Sequence, residues 1–344
     1  MTHDLALDPA QAVRIEEVRD YDVRGGGGVT LRAHEWGCPD GPAILFVHGW
    51  SQCDMCWEAQ VHSPLAERFR MVTFDNRGHG MSDKPLDGGC YADERMWADD
   101  LAAVIAQTRL ERPVLVAWSY GGFIVADYLR AYGDAAIAGI NLVGAAVLLR
   151  PPSFDHIGPG FLENVMAASA PDLRTNITSI RRFLRACTAR PLPDELWSAA
   201  LCWNMAVPAV IRGALVAREI DDTHVYSRIS VPVLATHGRG DIIVLPSMTE
   251  HLLRHCSTAV GSWYDGVGHM AFIEEPERFN HELAAFVNRA RQQASRTEAP
   301  THSPLRTPSA TSAPPGPRAA VRRREPPGAP PSAANTGRAP ASLP

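Results

Sequence analysis

Pro113-Val114-Leu115-Val116-Ala117-Trp118-Ser119-Tyr120-Gly121-Gly122 opens as a short apolar run with two β-branched valines, the pattern of a strand buried on both faces. A second apolar run, Phe123-Ile124-Val125-Ala126-Asp127-Tyr128-Leu129, follows at helical length. A strand that turns sharply into a helix with a serine at its tip exposes the hydroxyl above the sheet edge. Such a turn crowds the residues two before and two after the serine, here Ala117 and Gly121. The usual pattern is G-x-S-x-G, so Ala117 departs from it by one methyl. Ser119 at a helix N-terminus also favours developing negative charge. The same pentapeptide fits a serine that merely caps a helix, so the rest of the chain carries the decision.

Working outward, buried strands and helices alternate. Ala43-Ile44-Leu45-Phe46-Val47 reads as an interior strand ending in His48-Gly49-Trp50. Met71-Val72-Thr73-Phe74 is another, ending in Asp75-Asn76-Arg77-Gly78-His79-Gly80-Met81-Ser82. Residues 91–110 fit a helix with Met96, Leu101, Val104 and Ile105 on its apolar face. Residues 137–143, 231–238 and 259–264 are further strands, 248–254 a helix, and 276–291 an amphipathic closing helix. Near the start, 13–18 and 29–36 alternate as strands around Gly25-Gly26-Gly27-Gly28. Those glycines lack the lysine and helix of a phosphate loop, so they predict a hairpin turn. The pattern specifies a mostly parallel sheet covered on both faces. In such sheets sites form beyond the carboxyl ends of the strands, where His48-Gly49-Trp50, the Asp75–Ser82 loop and Ser119 all fall.

Between residues 151 and 229 the strand rhythm stops and proline-punctuated helical patterns replace it, at 161–168, 177–187, 194–205 and 210–218. The segment reads as a helical cap inserted between a first core part, 1–150, and a second, 230–291. Phe161, Trp197, Trp203 and Met205 are candidates to line an apolar pocket, the alternative being that they pack the cap's own core. Residues 292–344 contain no aromatic residue and carry seven arginines against Glu298 and Glu325. So Pro-, Ala- and Ser-rich a segment predicts a disordered tail, and Arg322-Arg323-Arg324 reads as solvated charge rather than a nucleic-acid contact.

The whole chain, 344 residues with a formal charge of −5, makes no general case for nucleic acid or an acidic membrane. No run approaches the ~18 apolar residues of a membrane span, and Met1-Thr2-His3-Asp4-Leu5 lacks the basic start of a secretory signal. The cytoplasm is the expected compartment. The seven cysteines are then expected as free thiols. Cys53-Asp54-Met55-Cys56 finds no second pair or histidine cluster to complete a zinc site, so neither metal nor cofactor is expected.

A serine is a poor nucleophile near neutral pH and needs a base, an orienter for that base, and donors for an oxyanion. Ser119, Asp241 and His269 each follow a predicted strand, in the order nucleophile, acid, histidine. On these motifs, with Gly238-Arg239-Gly240-Asp241 and Gly268-His269, residues 28–290 resemble the α/β-hydrolase superfamily. They are most similar to its bacterial esterase, perhydrolase and cofactor-free haloperoxidase-like branch. The resemblance implies the α/β-hydrolase fold with a cap. It also implies a small ester or lactone substrate, Ser119 as nucleophile, His269 as base and Asp241 as its orienter. The oxyanion donors it implies are the backbone N–H groups of Trp50 and Tyr120, while His48, Asp75, Arg77 and His79 brace loops. Asp265, four residues before His269, is a competing acid. Ser51 stands where perhydrolase-like members often carry proline, which favours ester or lactone hydrolysis over peracid or halogenating chemistry. A receptor-like ligand binder and a hydroxynitrile-lyase-like enzyme would carry the same triad, and the oligomeric state stays open.

Overall fold

The valine run before Ser119 becomes the central strand of an eight-stranded sheet in the computed structural model, which describes residues 19–150 and 153–298. In chain order the strands are β1 (Arg19–Arg24), β2 (Thr30–Gly37), β3 (Ala43–Val47), β4 (Arg70–Phe74), β5 (Val114–Trp118) and β6 (Gly139–Val143). A two-residue ribbon, β7 (Leu148–Leu149) and β8 (Ile220–Asp221), precedes β9 (Val233–Gly238) and β10 (Ala259–Tyr264). The main sheet runs β1-β2-β4-β3-β5-β6-β9-β10. Pairing is parallel from β4 to β10, while β1 and β2 add an antiparallel edge. Every residue of β3, β5 and β6 is buried, as uninterrupted apolar runs between two helical layers must be.

Leaving β3, the chain crosses to β4 on one side and then returns to β5 on the other. That reversal opens a crevice between the carboxyl ends of β3 and β5, where the loops diverge in opposite directions. His48-Gly49-Trp50 and Ser119 sit on its two lips.

The helix expected over 91–110 divides instead into Gly89–Ala92 and Glu94–Gln107. Asp93 breaks it: its backbone is extended, and its carboxylate caps the second helix by accepting from the Arg95 N–H at 2.9 Å, a role that apolar spacing does not reveal. Gly25–Gly28 does connect two antiparallel strands. The turn docks on the buried Asp100–Arg77 ion pair, with Gly26 N–H on Asp100 Oδ1 and Arg77 Nη2 on Gly26 O, both at 2.8 Å.

The segment expected as a cap holds three helices of eight residues or more, Leu173–Ala186, Asp194–Met205 and Ala209–Val216. The antiparallel β7–β8 ribbon pairs residues before this segment with residues near its end. Two-residue strands are too short to leave a periodicity, so the expectation of a purely helical segment fails there. The closing helix, Pro276–Glu298, runs past the composition break at residue 292, so the expected boundary is moved. The strand expected at 13–18 and the tail from 299 onward, with Arg322–Arg324, lie outside the described residues. Among the described residues no single helix is long and apolar enough to cross a membrane.

Candidate active site

Ser119 has φ 56°, the left-handed backbone that a non-glycine residue occupies only under constraint. Its N–H donates to Val143 O at 3.0 Å, and its carbonyl accepts from the N–H groups of Gly122 (3.0 Å) and Ala146 (3.1 Å). The turn is tight enough that a Cβ on Gly121 would lie 2.7 Å from Val47 O, and one on Gly49 2.9 Å from Ser119 Cβ. Ala117 is fully buried in β5, and the elbow forms around its methyl.

His269 reaches this turn from the loop after β10. Its carbonyl accepts from Trp118 Nε1 at 3.0 Å, and the Trp118 and His269 rings lie 5.4 Å apart. Nδ1 of His269 stands 2.7 Å from Asp241 Oδ2. Asp241 Oδ1 accepts from the N–H groups of Ile243 (2.8 Å) and Val244 (3.1 Å). Burial alone would raise the Asp241 carboxyl; the His269 and His237 imidazoles beside it overcome that and hold it near its low value of about 2. His269 Nε2 is buried and bonded to no protein atom among the described residues. Ser119 Oγ has no hydrogen bond there either, so Asp241 and His269 are joined while the serine–imidazole bond is not made. Unliganded sites commonly show that link long. Asp265, the competing acid, is 89% exposed in its side chain and pairs with Arg239 at 3.1 Å.

Two contributors carried no sequence signal. His237, at the end of β9, brings Nε2 to 3.2 Å from Asp241 Oδ2. Gly144, at φ 47°, leaves room for the pair, since a Cβ there would lie 3.0 Å from His269 Nδ1.

The N–H groups of Trp50, in the loop after β3, and of Tyr120, in the elbow itself, find no protein acceptor among the described residues. Ser51 holds the loop at φ 61°, with its N–H on His79 Nε2 at 3.2 Å. His79 Nδ1 faces Arg77 O at 2.8 Å, His48 Nδ1 faces Gly49 O at 2.9 Å, and His48 Nε2 accepts from the Asn76 N–H at 3.0 Å. A carbonyl can only accept, so both imidazoles carry their proton on Nδ1 and are neutral. Burial pushes them down from 6.5, His48 to about 4 and His79 to about 3, with charge on His48 adding to the effect at His79. The unfolded chain therefore binds more protons than the folded one as pH falls from 6.5 toward 4. A proton bound only by the unfolded chain costs the fold about 1.4 kcal/mol for every pH unit of further acidification. Stability complete above pH 6.5 thus drains away across that window. Calorimetry is expected to show a falling Tm there, with a shallower fall in His79→Asn; a flat wild-type profile would contradict it.

A narrow apolar pocket of about 30 Å³ opens at Ser119, walled by Trp50, Tyr120, Phe123, Phe161, Ile243 and neighbouring aliphatic residues. Of the four cap candidates Phe161 is in that wall, its ring 5.4 Å from Trp50. The other three are not in it. Trp203 is buried and donates Nε1–H to Gln52 Oε1 at 2.8 Å. Trp197 lies half-buried under the Arg185 guanidinium, and half-buried Met205 packs on the core.

Cys53 with Asp54 and Asp75 is the described cluster tight enough to consider for a metal ion. Both Asp75 oxygens already accept backbone N–H groups, from Asp54 at 2.9 Å and Met81 at 2.6 Å. Burial and the two carboxylates push the Cys53 thiol far up, away from the thiolate a metal needs. The donors are spent on bracing the loop.

The alpha/beta hydrolase family model matches residues 44–282. The chain is 30% identical to the bifunctional esterase/perhydrolase DCH of Acinetobacter calcoaceticus, over 76% of this chain and 96% of that protein. It is 29% identical to a non-heme chloroperoxidase of Streptomyces lividans, over 77% and 98%. Among solved structures, the esterase RhEst1 from Rhodococcus sp. ECU1013 matches with a TM-score of 0.74 at 31% identity, covering 79% of this chain and 98% of that one. A structure from Burkholderia cenocepacia described as an aryl esterase matches with a TM-score of 0.76 at 36% identity, over 80% and 100%. With the sheet order, the serine elbow and the histidine–aspartate pair in place, these matches identify the chain as a member of the alpha/beta hydrolase family.

Proposed function

We propose that this protein is a serine hydrolase that cleaves small carboxylic esters or lactones with an apolar acyl group, through an acyl-enzyme. The observation that carries the reading is the buried Asp241 carboxylate 2.7 Å from His269 Nδ1, which leaves the imidazole's Nε2 unpartnered beside the elbow of Ser119. With Nδ1 holding a proton toward Asp241, Nε2 presents its lone pair. With Oγ hydrogen-bonded to that lone pair in the substrate complex, the hydroxyl adds to the ester carbonyl as His269 takes its proton. The carbonyl oxygen becomes an anion and accepts from the Trp50 and Tyr120 N–H groups. Collapse expels the alcohol, which leaves with the proton from His269. Water repeats the sequence and releases the acid.

The pocket's walls are apolar, and the Tyr120 hydroxyl points away to Leu215 O, so a charged acyl chain would be left unpaired. Ester-cleaving relatives favour the same chemistry. Ser51 at φ 61° holds a backbone that proline, fixed near about −65°, cannot adopt. The loop is therefore not the proline-bearing form, which favours water over peroxide as the second nucleophile.

A fluorophosphonate probe tests the reading. Covalent labelling is expected on the peptide containing Trp118-Ser119-Tyr120, and its loss is expected in Ser119→Ala. Absence of the adduct in folded protein would overturn it.

A further inference from the structure

The two residues whose N–H groups face the oxyanion position are tied, by their side chains, to one short cap helix. Trp50 donates Nε1–H to Arg212 O and Tyr120 donates Oη–H to Leu215 O, both at 3.1 Å. Arg212 and Leu215 lie three residues apart in Ala209–Val216, hence on one face of it. The Leu215 carbonyl belongs to the last turn, where helix carbonyls lack a partner within the helix. The lips of the crevice come from different loops, one after β3 and one after β5. This helix bridges them.

The helix is itself held from both ends. Arg212 is 1% exposed, and no carboxylate pairs with it among the described residues. Its guanidinium donates to Ala168 O (2.8 Å), Asn204 O (2.7 Å) and Asn176 Oδ1 (2.6 Å), so it pins three cap segments at once. The Ser51 hydroxyl, in the oxyanion loop, shares the Asn204 carbonyl at 3.4 Å. Just past the helix, Arg218 clamps Asp127 of the elbow helix through Oδ1 (2.9 Å) and Oδ2 (2.8 Å), and touches Tyr120 Oη at 3.4 Å. A buried cation without a counter-charge is an expensive way to glue a cap together. It is a good way to fix a carbonyl's position, because the planar fork sets direction as well as distance.

We propose that the cap helix Ala209–Val216 braces the oxyanion hole, setting the spacing of the Trp50 and Tyr120 N–H groups, and that Arg212 is the positioning residue that holds the brace. This rests on the reading of those two N–H groups as the oxyanion donors. The cap then does more than cover substrate. When it shifts, the donors shift with it, and the transition state loses more than the ground state does.

Tyr120→Phe removes one tie together with the long 3.4 Å contact from Arg218; Trp50→Phe removes the other. Each is measured for Tm, for fluorophosphonate labelling, for kcat and KM on an aryl acetate, and for inhibition by a trifluoromethyl ketone, whose adduct carries the oxyanion. Loosening one donor is expected to lower kcat by roughly tenfold with KM within about twofold, and to weaken the trifluoromethyl ketone by the same factor. Tm should scarcely move in Tyr120→Phe. Arg212→Met should show the same split more strongly, with partial return in Arg212→Lys; if Arg212→Met does not fold, the tyrosine variant still decides. Wild-type kcat and inhibitor affinity in both Tyr120→Phe and Trp50→Phe, or a rise in KM alone, would overturn the brace. If wild-type protein does not label at Ser119, the hydrolase reading fails instead, so the two failures are told apart.

Discussion

Ser119→Ala is expected to lower kcat on a simple aryl acetate by on the order of 10⁶, as in other serine triads, while leaving Tm nearly unchanged. Both halves follow from the site. The hydroxyl is the atom that would bond to the acyl carbon, and no neighbouring side chain offers a substitute: Cys187 is fully buried with its thiol pushed far up, and Tyr120 Oη is bonded away from the pocket. Stability has little at stake, because Oγ makes no hydrogen bond among the described residues. Alanine also inherits the φ of 56° at no greater steric cost than serine. Turnover within about tenfold of wild type, set against that expected loss, would mean that the ester is cleaved by general-base attack of water or at another site. A large fall in Tm would mean that the hydroxyl holds the elbow.

The chain's legibility followed the length of its patterns. β3, β5 and β6 are five-residue apolar runs buried throughout, so composition alone marks them, and the loops at their carboxyl ends inherit a place near the crevice. Ser119 and Asp241 could be singled out because each follows a strand buried throughout, and His269 because it follows the last strand in the order nucleophile, acid, histidine. His237 could not: it ends a strand as an ordinary residue, and only the fold turns its ring onto Asp241. Gly144 was equally silent, since the close approach that needs it comes from a loop far away in sequence.

Residues 151–229 were legible as a set of helices and illegible as a surface. Trp203 and Phe161 are both large apolar residues on short helical patterns. One turns its indole N–H into a bond with Gln52, and the other faces Trp50 across the pocket. Spacing fixes which residues share a face, but not whether that face meets substrate or a neighbouring helix. Arg212 shows the same limit from the polar side: nothing in the sequence marks it as buried with no carboxylate paired to it among the described residues.

Asp241→Asn is expected to cost on the order of 10⁴ in kcat, by analogy with other triads, and the hydrogen bonds around the carboxylate say why an amide cannot adapt. Oδ1 accepts two backbone N–H groups, from Ile243 and Val244, and only an oxygen can accept both. The amide nitrogen is therefore forced into the Oδ2 position, 2.7 Å from His269 Nδ1 and 3.2 Å from His237 Nε2. Facing an NH₂ group, His269 must turn Nδ1 into an acceptor and carry its proton on Nε2. That tautomer has no lone pair for Ser119. His237 gives no relief, because its Nε2 already serves Val244 O at 2.9 Å and would meet the same amide donor. Asp265→Asn, altering an exposed carboxylate on the same loop as His269, is expected to change kcat by less than about twofold, as surface ion pairs contribute little. The pH–rate profile separates the outcomes further. Asp241→Asn should recover partially at high pH, where hydroxide can take the serine proton that the wrong tautomer cannot, whereas Asp265→Asn should follow wild type throughout. A larger loss in Asp265→Asn than in Asp241→Asn would place the orienting acid on the exposed side of the loop and sink the assignment of Asp241.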